Sequence, residues 1–273
     1  MSRTWELTNL EFIVLRDRLV GRHLPWPFAY IGPVRTRIEF LNEKARIWKR
    51  LQADWDPDLA DLITAAANPD MKVQVVAWDS RKPDNTASEY SLVGYRFASR
   101  ALLIQGIHDS DPVSCDWYRV VECDASDLSA LIVDTLPEHP AGSQDRIELA
   151  HYVPTETTDV WSQTRSHLYD DGDGDITKRS HGWQKAAKST VGMIALRQGR
   201  SKFGPQGIRM QHLFWEDHPD DGRYLIDLEP PISAVGIDSD GLRRRIDQRT
   251  DEVLRMVADE SREGIVRSSV FDD

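Results

Sequence analysis

Asn68-Pro69-Asp70-Met71-Lys72-Val73-Gln74-Val75-Val76-Ala77 is where the spacing of apolar residues along this chain changes. Upstream of Asn68 they recur every three and four residues. Downstream, Val73, Val75 and Ala77 alternate with Lys72, Gln74 and Val76, which reads as a strand. A chain that keeps the two periods in separate runs belongs to the α+β class.

Working upstream, Asp56-Pro57-Asp58 opens a helix with proline near its first position. Its inner side is Leu59, Leu62, Ile63 and Ala66, and Asn68-Pro69 ends it. A longer helix is predicted over 34–54, with Ile38, Leu41, Ala45, Trp48 and Leu51 as its apolar stripe. Before it, Leu24-Pro25-Trp26-Pro27-Phe28 cannot be helical, because each proline biases the preceding residue toward extended backbone. This segment is expected to lay its aromatics over the edge of the core. Thr8-Asn9-Leu10-Glu11 is a capping box that starts a first helix, and Gly21 is placed to stop it.

Working downstream, 80–89 is polar and aperiodic and reads as a loop. Strands follow over 90–98 and 100–107, then a strand carrying Cys115 and Cys123. A helix reaches Leu136, and 137–143 is the best linker. A strand is predicted over 146–152, and 153–180 stays unassigned, with the acidic run 170–175 read as a loop. A helix is predicted over 181–197, with Trp183, Ala187, Val191, Ile194 and Ala195 inward. Strands over 204–217 and 223–229 flank a Pro219-Asp220-Asp221-Gly222 turn. A short strand over 232–237 and a helix over 238–258 follow, and the tail is expected to fray. Helix, strand meander, helix occurs twice, which divides the chain into halves 1–143 and 144–273.

Composition narrows the function. The 273 residues carry a net charge of −11 and 40% hydrophobic residues, with a pI near 5.2. Nucleic-acid affinity rests on phosphate-neutralising Lys and Arg, so no nucleic-acid partner is expected. The Arg243-Arg244-Arg245 cluster, close to Asp247, Asp251 and Glu252, reads as a solvated helix face. No apolar run approaches the ~20 residues that span a bilayer. The start has no signal-peptide core. The expectation is a cytoplasmic protein without membrane insertion. Cys115 and Cys123 on one strand are about 26 Å apart, beyond the ~7 Å a disulfide needs.

Sites of chemistry are not evident. Asp171, Asp173 and Asp175 imitate the start of an EF-hand loop, but Ile176 stands where glycine is needed and Gly182 where the bidentate Glu is needed. No His-Glu-x-x-His array, Gly-x-Ser-x-Gly elbow, Walker loop or dinucleotide fingerprint is present. His212 and His218 flank Trp215 without placed partners. Gly199-Arg200-Ser201-Lys202-Phe203-Gly204 is expected between a helix end and a strand, the wrong order for a phosphate cradle. No catalytic residue, cofactor or metal is therefore assigned.

The glycine-rich run 199–204, the strand ending Leu213-Phe214-Trp215-Glu216-Asp217, and Asp221-Gly222-Arg223-Tyr224-Leu225 together resemble the closing hairpin of EspG, the ESX secretion-associated protein family. Leu7-Thr8-Asn9-Leu10-Glu11, Leu24-Pro25-Trp26-Pro27-Phe28 and Trp55-Asp56-Pro57-Asp58-Leu59-Ala60 are similar to its opening segments, in the same order. The likeness runs from about Thr4 to Val257 and lapses over 153–180. It implies two quasi-symmetric α+β halves around a central antiparallel sheet, with a C-terminal helical bundle. It implies a cytosolic, non-enzymatic chaperone, monomeric or weakly dimeric, that binds the tip of a PPE-type protein paired with a PE-type protein. The loop after the first long central strand then supplies contacts, here Arg81, Lys82, Asp84 and Asn85. An uncatalogued enzyme and a self-associating structural protein are the alternatives.

Overall fold

The computed structural model describes residues 3–21, 23–32, 36–81, 90–108, 114–149 and 174–269. Strand β1 (Arg3–Thr8) leads into helices α1 (Asn9–Val20), α2 (Arg37–Ala53) and α3 (Pro57–Ala65). A meander follows: β2 (Met71–Asp79), β3 (Tyr90–Phe97), β4 (Arg100–Ile107) and β5 (Trp117–Asp124), closed by α4 (Leu128–Asp134). After β6 (Ile147–Glu148) come α5 (Gly174–Lys185), a second meander β7 (Thr190–Gln198), β8 (Met210–His218), β9 (Gly222–Asp227) and β10 (Ser233–Gly236), then α6 (Ser239–Ser269). One ten-stranded sheet results, in the order β1-β5-β4-β3-β2-β7-β8-β9-β10-β6. Every strand pairing is antiparallel. The α+β class and the large antiparallel sheet follow from the two separate periods in the sequence.

The centre of the sheet is the β2–β7 pair, in register from Met71 opposite Gln198 to Asp79 opposite Thr190. One face is covered by α4 and α6: Leu128, Ile132, Leu242, Ile246 and Val253 pack on Val73, Val75, Ile194, Leu196 and Trp215. The other face carries α1 and α3 over the first meander, through Phe12, Leu15, Leu62 and Ile63 against Val93, Leu102, Ile104 and Val120. Over the second meander it carries α5, whose Trp183 meets Tyr224, Ile226 and Ala234.

Local signals explain the element ends. Thr8 accepts from the Glu11 N–H while Glu11 reaches back to Thr8, the expected capping box, and Gly21 closes α1 at φ 65°. Asp56 caps α3, with Pro57 in its first turn. Phe28 is buried against Phe12 and Tyr118, as the proline-aromatic segment predicts, whereas Trp26 is half exposed. The β3–β4 turn places Ala98 at φ 54°, and Asp70 Oδ2 accepts its N–H at 2.7 Å.

Four expectations are corrected. Residues 190–197 are not helical: α5 stops at Lys185 and 190–198 is β7. β8 starts at Met210, so the 199–204 run joins two strands instead of following a helix. The tail is helical as far as Ser269. On α2, Ile38, Leu41 and Ala45 face outward, and Ile47 is the buried residue. The run 170–173 and most of 153–180 lie outside the described residues.

Candidate partner interface

The mouth of the β2–β3 connection lies at one end of the central pair. Asp79 is the last residue of β2, and its carboxylate is almost fully buried. Arg81 returns to it with a two-pronged contact: Nε to Oδ1 at 2.8 Å and Nη2 to Oδ2 at 3.0 Å. The Arg81 side chain keeps 66% exposure, so it stands at the surface with its orientation set from below. Ser80 fixes the backbone, donating its N–H to Ser189 O at 3.1 Å and its Oγ–H to Lys188 O at 2.5 Å.

Two strands away from this mouth, the end of β8 gathers Lys188 and His218 around Glu216. Lys188 Nζ lies 2.9 Å from Glu216 Oε2, and His218 Nε2 is 3.4 Å from the same oxygen. Trp183 stacks on His218, with ring centroids 5.0 Å apart. Across the next strand pair, Arg223 Nε donates to Asp217 Oδ1 at 2.6 Å and Nη2 to Oδ2 at 3.1 Å, with neither side chain exposed. Arg223 Nη2 also donates to Pro137 O at 2.8 Å. Main-chain bonds from Gly142 N to Arg223 O and from Arg223 N to Pro140 O add to the clamp. Asp221 accepts from Ser143 N at 2.7 Å and from the Tyr224 hydroxyl. Burial alone would raise the Asp221 carboxyl, but these hydrogen bonds hold it down to about 2. The 137–143 segment, read from sequence as a linker, is thus fastened to the second meander.

The model of the EspG family matches residues 8–263. The chain belongs to the EspG family. Among solved structures it is similar to the Mycobacterium tuberculosis type VII secretion system chaperone EspG5 in its complex with the PE25-PPE41 dimer. That likeness has 12% identity and a TM-score of 0.53 over 94% of this chain and 96% of that one, and it is a likeness of fold. The di-domain ARO/CYC BexL from the BE-7585A biosynthetic pathway overlaps at 10% identity over 95% of this chain and 97% of that one, with a TM-score of 0.14 that carries no argument. No curated protein matches by sequence.

In this EspG-family chain, the segments that carried the resemblance are structural joints. Thr8 and Glu11 cap α1, Phe28 fills the core, and Asp217 through Tyr224 form the clamp. Of the four residues expected to contact a partner, Arg81 sits at the mouth described above. Lys82, Asp84 and Asn85 lie outside the described residues. Sequence reasoning missed Lys188, named Glu216 only as part of a run, and left His218 without a placed partner. Their only signal was the strand register, which could not be drawn while 190–197 was read as helix. The chemistry available is recognition: fixed cations and carboxylates around a rigid sheet end. Burial pushes both thiols, Cys115 and Cys123, up to about 11, which leaves them as packing groups. Among the described residues, no cluster of three His, Cys, Asp or Glu side chains could hold a metal, and no helix is long and apolar enough to cross a membrane.

Proposed function

We propose that this chain is a non-enzymatic secretion chaperone that binds a PE/PPE-type protein pair at the helical tip of the PPE-type member, keeps it soluble and directs it to a type VII secretion system. The observation that carries this reading is the family match across residues 8–263. It is supported by a fold similar to that of EspG5, which was solved with the PE25-PPE41 dimer. A helical tip is held by a preformed surface whose polar rim sets orientation. The contact set of the proposal is Arg81, Lys82, Asp84 and Asn85, working in the cytoplasm as a monomer or weak homodimer.

The architecture we infer has two quasi-symmetric halves, 1–143 and 144–273. In its favour, five strands stand on each side of the β2–β7 seam, and each half's first strand pairs with its last. The two seam strands have nine residues each and the same burial sequence. A C-terminal helical bundle is part of the same proposal, and α6 lying beside α4 is its support.

Co-expression with a PE/PPE pair followed by size exclusion tests the function. A stable three-chain complex is the expected result. Arg81→Glu combined with Lys82→Glu should weaken that complex about tenfold or more in calorimetry, as expected when fixed charges at an interface are reversed. Unchanged affinity removes this loop from the interface, and absence of any complex with cognate pairs removes the function.

A further inference from the structure

Lys72 of β2 and Arg197 of β7 stand directly opposite each other in the central pair. Side chains alternate along a strand, so both project from the face that carries α1, next to Tyr95, whose ring centroid lies 5.8 Å from Lys72 Nζ. A third cation approaches from α1. Arg16 is only 4% exposed. Its Nε donates to His23 O at 3.3 Å, and its guanidinium carbon lies 5.9 Å from the centroid of the Phe12 ring. Its Nη1 has no hydrogen-bond partner. Burial first, then the charges of Arg197 and Arg16, push the Lys72 ammonium down to about 8. Among the described residues, no carboxylate pairs with any of the three.

This arrangement works against the fold. Like charges directly opposite in an antiparallel pair repel, and a buried guanidinium that is not fully hydrogen-bonded is costly. Both costs disappear when an anion is bound. A guanidinium presents a planar fork of donors that matches an oxyanion, and an ammonium adds a point charge. We propose that Arg16, Lys72 and Arg197 form a binding site for one compact oxyanion, a carboxylate or a phosphate. The site is at the opposite end of the central pair from Arg81 and does not depend on the chaperone reading. The anion could be a free inorganic ion or the acidic side chain of a bound protein.

The test is thermal unfolding of the full chain, followed by circular dichroism at constant ionic strength and pH, in sodium chloride, sodium phosphate and sodium acetate. Binding to the folded state alone should raise the wild-type Tm by about 3 °C or more in phosphate or acetate relative to chloride. In Lys72→Gln the rise should vanish, while its Tm in chloride stays level with wild type or exceeds it because a repulsion is gone. A rise in phosphate marks a free inorganic anion. A rise in acetate alone marks a carboxylate of the kind an acidic side chain supplies. Arg197→Gln, also half-buried, gives the same reading should Lys72→Gln not fold. The proposal is overturned if neither anion raises the wild-type Tm, or if the variant responds as strongly as wild type.

Discussion

Arg223 is a cation with no exposed surface, held there through Nε and Nη2, which find acceptors, while its Nη1 has none. Asp217 meets it with two oxygens and Pro137 with a carbonyl. Taking two charges out of water costs several kcal/mol per ion before their attraction is counted, so such a pair contributes little net stability but punishes the loss of one member. Arg223→Met alone should therefore destabilise the fold by about 3–5 kcal/mol, because it strands the Asp217 charge in the interior. The double variant Asp217→Leu with Arg223→Met should recover much of that loss. Urea unfolding of the two single variants and the double checks this, and strict additivity of the two losses would refute it. The Asp-Gly-Arg-Tyr run was legible in the sequence as a motif. Its work, tying 137–143 to β9, was not, because the partner atoms are main-chain groups about 80 residues away.

Among elements, β7 is the one the sequence concealed. Trp183, Ala187, Val191, Ile194 and Ala195 keep a helical spacing through α5 and on into the strand. A strand buried on both faces loses its alternation, so periodicity cannot separate it from a buried helix. What decides the matter is nonlocal: nine residues of β2 on one side and the long hairpin strand β8 on the other satisfy the β7 backbone. Gly192 also matters here, since a Cβ at that position would lie 2.2 Å from the Trp215 ring. The converse error fell on α2, where Ile38, Leu41 and Ala45 formed a regular stripe but were left outside because α1 meets the helix on another side, through the Lys44–Asp17 and Arg50–Glu11 pairs. Elements with local end signals, α1 and α3 above all, were readable within a residue or two. If tertiary pairing overrides local preference in β7, a peptide of residues 181–198 should be largely unstructured in water and turn helical in trifluoroethanol. Far-UV circular dichroism that instead showed β-structure at low concentration would place the strand preference in the segment itself.

At the scale of the molecule, the question is whether the two halves are units of folding or only units of pattern. The seam argues for pattern alone. β2 and β7 are the central strands of the sheet, and separating them would leave each half with a nine-residue apolar edge, the kind of surface that templates aggregation. Helix α6 also crosses the boundary: Leu242, Ile246 and Val253 share one core cluster with Leu128 and Ile132 of α4 and Val73 of β2. In the other direction, 140–143 of the first half is hydrogen-bonded to Arg223 and Asp221 of the second. A domain that folds alone needs its own core and few contacts across its boundary; Phe12 and Leu62 belong to a core inside 1–143 and Trp183 and Tyr224 to one inside 144–273, but the second condition is not met. Residues 1–143 and 144–273 expressed separately should each aggregate or stay unfolded, with no cooperative thermal transition. Co-expressed, they should co-elute at the size of the intact chain, because the seam, the shared helix layer and the clamp all re-form between them. A sharp, reversible transition from either half in isolation would show that the repeated element order marks two independent domains.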